Sequence, residues 1–130
     1  MLLSVVFVGL CWCIFNFLKR LKGCHALVLE SNYDEAMLRE EERRPWSVKQ
    51  RISARHGHLS NGAAAKLVEE VAGPELRELV LGHISEDCNR PELARRAMEE
   101  ALAKVGRKGV RIHETSADRV GDRVEILAGK

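Results

Sequence analysis

No sign of charge is in surplus: 21 basic and 19 acidic residues leave a formal net charge of +2. Bulk charge therefore lends no support to nucleic-acid binding, which would have to rest on a local patch. The one dense charged run, Arg39 to Arg44, alternates by block. Paired C-x₂-C motifs are missing. The four cysteines are Cys11, Cys13, Cys24 and Cys88, with the single C-x-C in a very apolar stretch. That spacing excludes a zinc ribbon and favours buried, reduced thiols. There is no P-loop and no glycine-rich dinucleotide fingerprint, which sets the nucleotide-binding folds aside. Repeats and low-complexity segments are absent too. An apolar fraction of 45% and a charged fraction of 31% describe a folded chain rather than a disordered one. At 130 residues, one domain is expected.

The amino terminus is unusual. Met1 to Leu18 carries no charged side chain, and Lys19, Arg20 and Lys22 follow it. As a helix this segment would rise about 27 Å, just short of a typical hydrocarbon core. The basic flank suits a membrane anchor with its carboxyl side in the cytoplasm. A cleaved signal peptide fits less well, because no basic residue precedes the apolar run. The competing reading is a buried strand over Leu3 to Val8, rich in β-branched residues, followed by a crossover helix over Cys11 to Leu21.

Beyond Gly23 short apolar runs alternate with amphipathic segments. His25 to Leu29 reads as a buried strand. Asp34 can cap a short helix running through Glu42, which Pro45 ends. Trp46 to Ile52 suits a second short helix. Asn61 to Ala72 is a stronger one, with Ala64, Leu67, Val68 and Val71 at helical spacing. Gly73 and Pro74 stop it, the glycine as a left-handed cap. Glu78 to Gly82 is then a strand, and Asn89 caps a helix over Pro91 to Lys104. Val110 to His113 is a short strand, and Arg123 to Leu127 alternates like one more. Strands and helices in this order, with short links, predict an α/β layer with a mainly parallel sheet.

Two junctions carry the chemistry: Arg55-His56-Gly57-His58-Leu59-Ser60-Asn61, and Leu79-Val80-Leu81-Gly82-His83-Ile84-Ser85. Each sets a histidine and a hydroxyl where regular structure gives way to a turn. Such junctions at a sheet edge can bring imidazoles together. At the first, a helix start with Ser60 and Asn61 favours an anion such as phosphate, and His58 could protonate a leaving oxygen. Alternatively, Ser60 or Asn61 merely caps the helix and His58 is exposed. His83, at a strand end, suits a metal ligand, or else a histidine satisfied by one hydrogen bond. His56 to Asn61 begins like the metal motif H-x-H-x-D-H but departs from it. Ser60 and Asn61 stand where aspartate and histidine are needed. His56 is expected to be exposed, and His25 and His113 structural. Glu30, Asn32 and Asp34 cluster after the first clear strand, where carboxylates can bind a metal, position a histidine or cap a helix. Lys49 and Arg51 could meet substrate phosphates or simply be solvated.

In order and spacing these pieces resemble the metallo-β-lactamase-fold hydrolases. The branch is that of the exonuclease-like and cyclic-phosphodiesterase-like proteins, related to the transfer-RNA 3′-processing endonuclease. The resemblance runs through Ala26 to Leu38, Pro45 to Ile52, Gly57 to Asn61, Leu79 to Glu86, then Asn89 and Pro91 to Leu93, and covers about residues 22 to 127. It implies the carboxyl-terminal half of a four-layer αββα sandwich, with residues 1–22 an apolar segment and 23–130 a partial domain. It also implies a divalent zinc or manganese centre and hydrolysis of a phosphodiester, nucleic acid included. His83 resembles the last metal-ligand histidine. His58 resembles the histidine that assists the leaving group at the scissile phosphate, and Glu30 the acid supporting it. The family's H-x-H-x-D-H stretch and its bridging aspartate have no counterpart in this sequence. Since a catalytic zinc needs about three protein ligands, the expectation is a cytoplasmic chain that retains no metal and has no activity alone. An exposed sheet face would favour self-association. The alternatives are a non-catalytic module binding an anion or nucleic-acid end, and a small α/β protein anchored through residues 1–18.

Overall fold

A computed structural model describes residues 5–8, 18, 21–121 and 123–125. Among the described residues four strands form one sheet in the order β1-β2-β3-β4: Val5–Val8, Ala26–Glu30, Glu78–Gly82 and Arg111–Glu114. Every pairing is parallel, with Val5 opposite Ala26, Ala26 opposite Glu78 and Glu78 opposite Arg111. The helices are α1 (Glu35–Glu40), α2 (Trp46–Ser53), α3 (Asn61–Val71) and α4 (Pro91–Lys104). The fold is thus a small parallel α/β layer, as the alternation of patterns predicts.

Alternation along the strands divides the sheet into two faces. Leu27, Leu29, Leu79 and Leu81 are fully buried among Ala64, Val68 and Val71 of α3 and Ala94, Met98, Ala101 and Leu102 of α4. Each such leucine contributes about 1.5–3 kcal/mol of burial. The opposite face carries Val28 and Val80, both half-buried, and ends in Glu30 at one strand terminus and Glu78 at the other. A smaller cluster of Tyr33, Leu38 and Cys88, with Ile52 against it, roots α1 and α2 beside the sheet edge.

Several boundaries differ from expectation, each for a local reason. Asp34 caps α1 by accepting the Ala36 and Met37 N–H groups, both at 3.0 Å. The helix stops at Glu40 rather than Glu42, well before Pro45. Glu41 turns its carboxylate back onto the N–H groups of Arg43 and Arg44, at 2.9 and 3.0 Å. Gly73 is not left-handed; α3 ends at Val71 and Ala72 caps it, its N–H still reaching the Val68 carbonyl. The left-handed cap lies instead at Gly106 (φ 72°), where the Arg107 and Gly106 N–H groups reach back to Leu102 and Ala103. Arg90, not Asn89, occupies the α4 cap position. Arg123–Glu125 has no regular structure, and Ile126 and Leu127 lie outside the described residues.

Val5–Val8 is a strand of the sheet. The remainder of the apolar segment lies outside the described residues except for Leu18, as do Cys11 and Cys13. Among the described residues no helix is long and apolar enough to cross a membrane. Cys24 and Cys88 are buried free thiols, and burial pushes the Cys24 thiol up from its ordinary value.

Candidate active site

Three loops leave the carboxyl ends of β2 and β3 and the end of α2, and converge at one edge of the sheet. Backbone hydrogen bonds lace them together. The Ser31 N–H donates to Gly82, Asn32 to Leu59, Asn61 to Tyr33 and Ser85 to Asn32, at 2.8–3.2 Å. Beneath them lies a buried polar triangle. The Asn61 and Asn89 side-chain amides pair reciprocally at 2.8 and 2.9 Å. The Ser31 hydroxyl donates to the Asn61 amide oxygen at 2.6 Å, and the Asn89 amide donates to the Ser31 carbonyl at 2.9 Å. Every member finds a partner, so the network rigidifies the edge instead of weakening it.

Two backbone features aim the histidines. A Cβ on Gly57 would fall 2.2 Å from the Ile52 carbonyl oxygen and 2.3 Å from that of Arg51, so only glycine lets the loop close this tightly. The next residue, His58, then donates its N–H to Ile52 at 2.9 Å. His83 has a φ of 58° and is the one described non-glycine residue in left-handed backbone. That conformation costs about 1–2 kcal/mol, offset in part by the Asn32 side chain donating to the His83 carbonyl at 2.6 Å. Strain held at a loop that presents an imidazole is characteristic of functional sites.

Glu30 is the centre. It ends β2, is only 2% exposed, and one of its oxygens, Oε1, lies 2.7 Å from Nδ1 of both His58 and His83. Its other oxygen accepts the Leu59 N–H at 3.2 Å. A carboxylate can only accept, so both Nδ1 atoms donate; both Nε2 atoms are turned away from Glu30, and in the neutral ring each carries a lone pair. The two rings stand 4.8 Å apart between centroids at an interplanar angle of 72°. The His58 side chain is 30% exposed and that of His83 62%. They border a cleft of about 720 Å³, whose walls include Arg44, Arg51, Ile52, His56 and Ser85.

The structure therefore unites His58, His83 and Glu30, three residues singled out from sequence at separate positions. It adds that Glu30 holds both histidines, where the expectation placed it beside His58 alone. The remaining candidates fare differently. Asn61 is buried, and its amide is consumed by Ser31 and Asn89, so it turns no group to a phosphate. Ser60 is also buried and caps α3, its hydroxyl accepting the Ala63 N–H at 3.1 Å. The Gly62 N–H is taken by Glu35 at 3.2 Å. The expected anion site at this helix start is thus filled by the chain's own groups, one of them a carboxylate. Lys49 lies off the cleft, its ammonium donating to the Arg39 carbonyl at 2.9 Å, whereas Arg51 lines the cleft. His56 is exposed, as expected.

Asn32, expected only as part of the cluster after the first strand, braces His83, and Asn89, expected only as a helix cap, joins the buried triangle. Their only sequence signal is asparagine directly after a strand or before a helix, which a cap explains equally well. His113 has a partner remote in sequence: its Nε2 lies 2.7 Å from buried Glu78, which also pairs with Arg111. Burial pushes the Glu78 carboxyl up, but the hydrogen bonds from Arg111 and His113 outweigh it and hold it below the usual carboxylate value.

Glu30, His58 and His83 are the described group whose side-chain chemistry suits a metal ion, their candidate ligand atoms lying within 4.8 Å of one another. With Glu30 committed to both Nδ1 atoms, the free donors are two Nε2 nitrogens. Two fall short of the three protein ligands of a catalytic zinc. The described residues therefore do not by themselves fit such an ion.

No model of a known protein family matches the chain. It is 40% identical over 98 residues to exodeoxyribonuclease YycJ of Bacillus anthracis, a match covering 73% of this chain and 37% of that protein. It is 34% identical over 103 residues to exodeoxyribonuclease WalJ of Streptococcus pneumoniae, covering 76% and 38% respectively. The chain thus spans little more than a third of the length of the curated relatives it matches.

Proposed function

We propose that this chain supplies one wall of a phosphodiester-hydrolysing site acting on DNA, as the carboxyl-terminal part of a metallo-β-lactamase-type αββα sandwich. The observation that carries the reading is the double clasp of Glu30 on His58 and His83, which turns two Nε2 atoms away from the carboxylate beside an arginine-lined cleft. The similarity to two proteins named exodeoxyribonuclease supports the substrate class. In this reading residues 23–130 form a partial domain, and the sheet face of Val28 and Val80 meets the sandwich's second sheet or, in its absence, another copy.

His58 is the proton donor to the leaving oxygen, a role suited to an imidazole held by a carboxylate at the edge of a cleft. His83 offers its Nε2 as one ligand for a divalent ion, zinc or manganese, whose other ligands lie outside the described residues. Glu30 is a positioning residue: it sets both tautomers and touches neither substrate nor ion. Alone, the chain is inactive.

Complementation tests this. The chain is mixed with an amino-terminal segment carrying an H-x-H-x-D-H ligand stretch, and release of nucleotides from end-labelled DNA is followed with zinc or manganese. Activity returns only in the mixture, and His58→Ala lowers it by about 10²–10⁴-fold. Activity from the chain alone, or full activity with His83→Ala in the mixture, would refute the assignment.

A further inference from the structure

His83 is gripped at two points. Glu30 takes the ring, its Oε1 lying 2.7 Å from Nδ1, and Asn32 takes the main chain, its carboxamide donating to the His83 carbonyl at 2.6 Å. A side chain held only at its ring can turn with its backbone, and a fixed backbone alone leaves the side-chain torsions free. Held at both points, the imidazole has one orientation.

Residue 83 needs the second hold. Its φ of 58° lies in the left-handed region, where glycine is at ease and a residue with a Cβ is not. Glycine at this position would remove the imidazole, so the strain has to be met from outside the residue. Asparagine at 32 answers that need in each respect. Its backbone N–H already donates to Leu59 and its carbonyl already accepts from Ser85, both at 2.8 Å, which leaves only the side chain to serve His83. The target is a carbonyl oxygen, so the side chain must donate. The position is 8% exposed, so it must do so without a charge. Aspartate has the shape but no donor, and alanine has neither.

We propose that Asn32 is a positioning residue of this site: its carboxamide fixes the left-handed backbone at His83 and so aims that imidazole at Glu30 and the cleft, without setting His58. The His58 ring is aimed by separate means, the close turn at Gly57 and the His58 N–H on the Ile52 carbonyl. The backbone of Asn32 ties the loops of both histidines together, but its side chain reaches only one of them. Loss of the donor therefore uncouples the two rings rather than loosening both. This role rests on the reading of His83 as a site residue and deepens it.

The test is magnetic resonance on the whole chain, with neither metal nor substrate. Left-handed backbone brings the His83 amide proton close to its own Hα, which gives a strong Overhauser effect, and the ring nitrogen shifts report the tautomer. The parent shows that strong effect and an Nδ1–H excess of about two- to fivefold at His83. In Asn32→Asp and Asn32→Ala the Overhauser effect falls to that of ordinary backbone and the excess at His83 disappears, while His58 keeps its own. A merely structural asparagine lowers the urea midpoint on substitution and leaves both His83 signals as in the parent; that result overturns the proposal. Equal losses at His58 and His83 overturn it as well. If neither variant folds, the parent decides. Asn32 carboxamide protons exchanging with water as fast as those of exposed Gln50 refute the contact, and slower exchange supports it. Because nothing is turned over, these signals can fail while complementation restores hydrolysis, or hold while hydrolysis never appears.

Discussion

The sharpest consequence of the geometry concerns two protons. If one carboxylate oxygen of Glu30 accepts from both histidines, each neutral imidazole must carry its proton on Nδ1. The strength of that bias follows from exposure. A hydrogen bond to a charged acceptor is worth about 1.5–3 kcal/mol when sheltered. His58, with 30% of its side chain exposed, keeps about 1.5 kcal/mol, roughly a tenfold preference. His83, at 62%, is screened to about 0.5–1 kcal/mol, a two- to fivefold preference. Long-range ¹⁵N–¹H correlation spectra of the imidazole rings read both directly, above the pH at which the rings are protonated. The expected spectrum has Nδ1 protonated and Nε2 bare in both residues, more completely in His58. In Glu30→Gln one of the two positions becomes a donor: the amide oxygen either stays on both rings and sets the amide N–H₂ against the Leu59 N–H, or turns to Leu59 and leaves both Nδ1 atoms without an acceptor, so the Nδ1–H preference falls at both histidines. A parent protein with Nε2–H on both rings would show that Glu30 does not clasp the two histidines.

Other outcomes follow from the same contacts. Asn89→Ala strands the Asn61 amide and the Ser31 carbonyl, and urea denaturation should show a loss of about 2–4 kcal/mol with an unchanged m-value. Gly57→Ala puts a methyl onto two carbonyl oxygens; a loss of about 2 kcal/mol or more is expected, together with the His58 tautomer signature. Glu78 is held below its ordinary pKa in the fold, so the unfolded chain binds more protons in acid. Its contribution is complete above about pH 4.3 and disappears as pH falls through the lower folded value. Glu78→Gln should therefore flatten the acid limb of the stability profile, and an unaltered limb would refute the pairing. If the Val28 and Val80 face awaits a second sheet, sedimentation should show concentration-dependent association that Val80→Lys suppresses.

Much of this molecule follows from local rules that act within one segment of chain. The 3.6-residue stripe of Ala64, Val68 and Val71 made α3 legible, and Pro91 followed by a long apolar face made α4 so. Apolar runs of four or five residues marked β2 and β3, and their alternation with helices implied a parallel sheet. Those rules need no knowledge of remote neighbours. Boundaries were less legible wherever a side chain competed for the backbone, as Glu41 does at the end of α1.

The site divides along the same line. Sequence alone determined its ingredients: His58 after Gly57 at a helix start, His83 at a strand exit, Glu30 at the end of a strand. Only the tertiary structure decided that one oxygen of Glu30 serves both rings, because that depends on β2 and β3 lying side by side in register, 52 residues apart along the chain at Ala26 and Glu78. It likewise removed Asn61 from the candidates and revealed Asn89 in its place beneath the loops. An asparagine's partners are chosen by burial, and burial is a property of the assembled layers rather than of any segment.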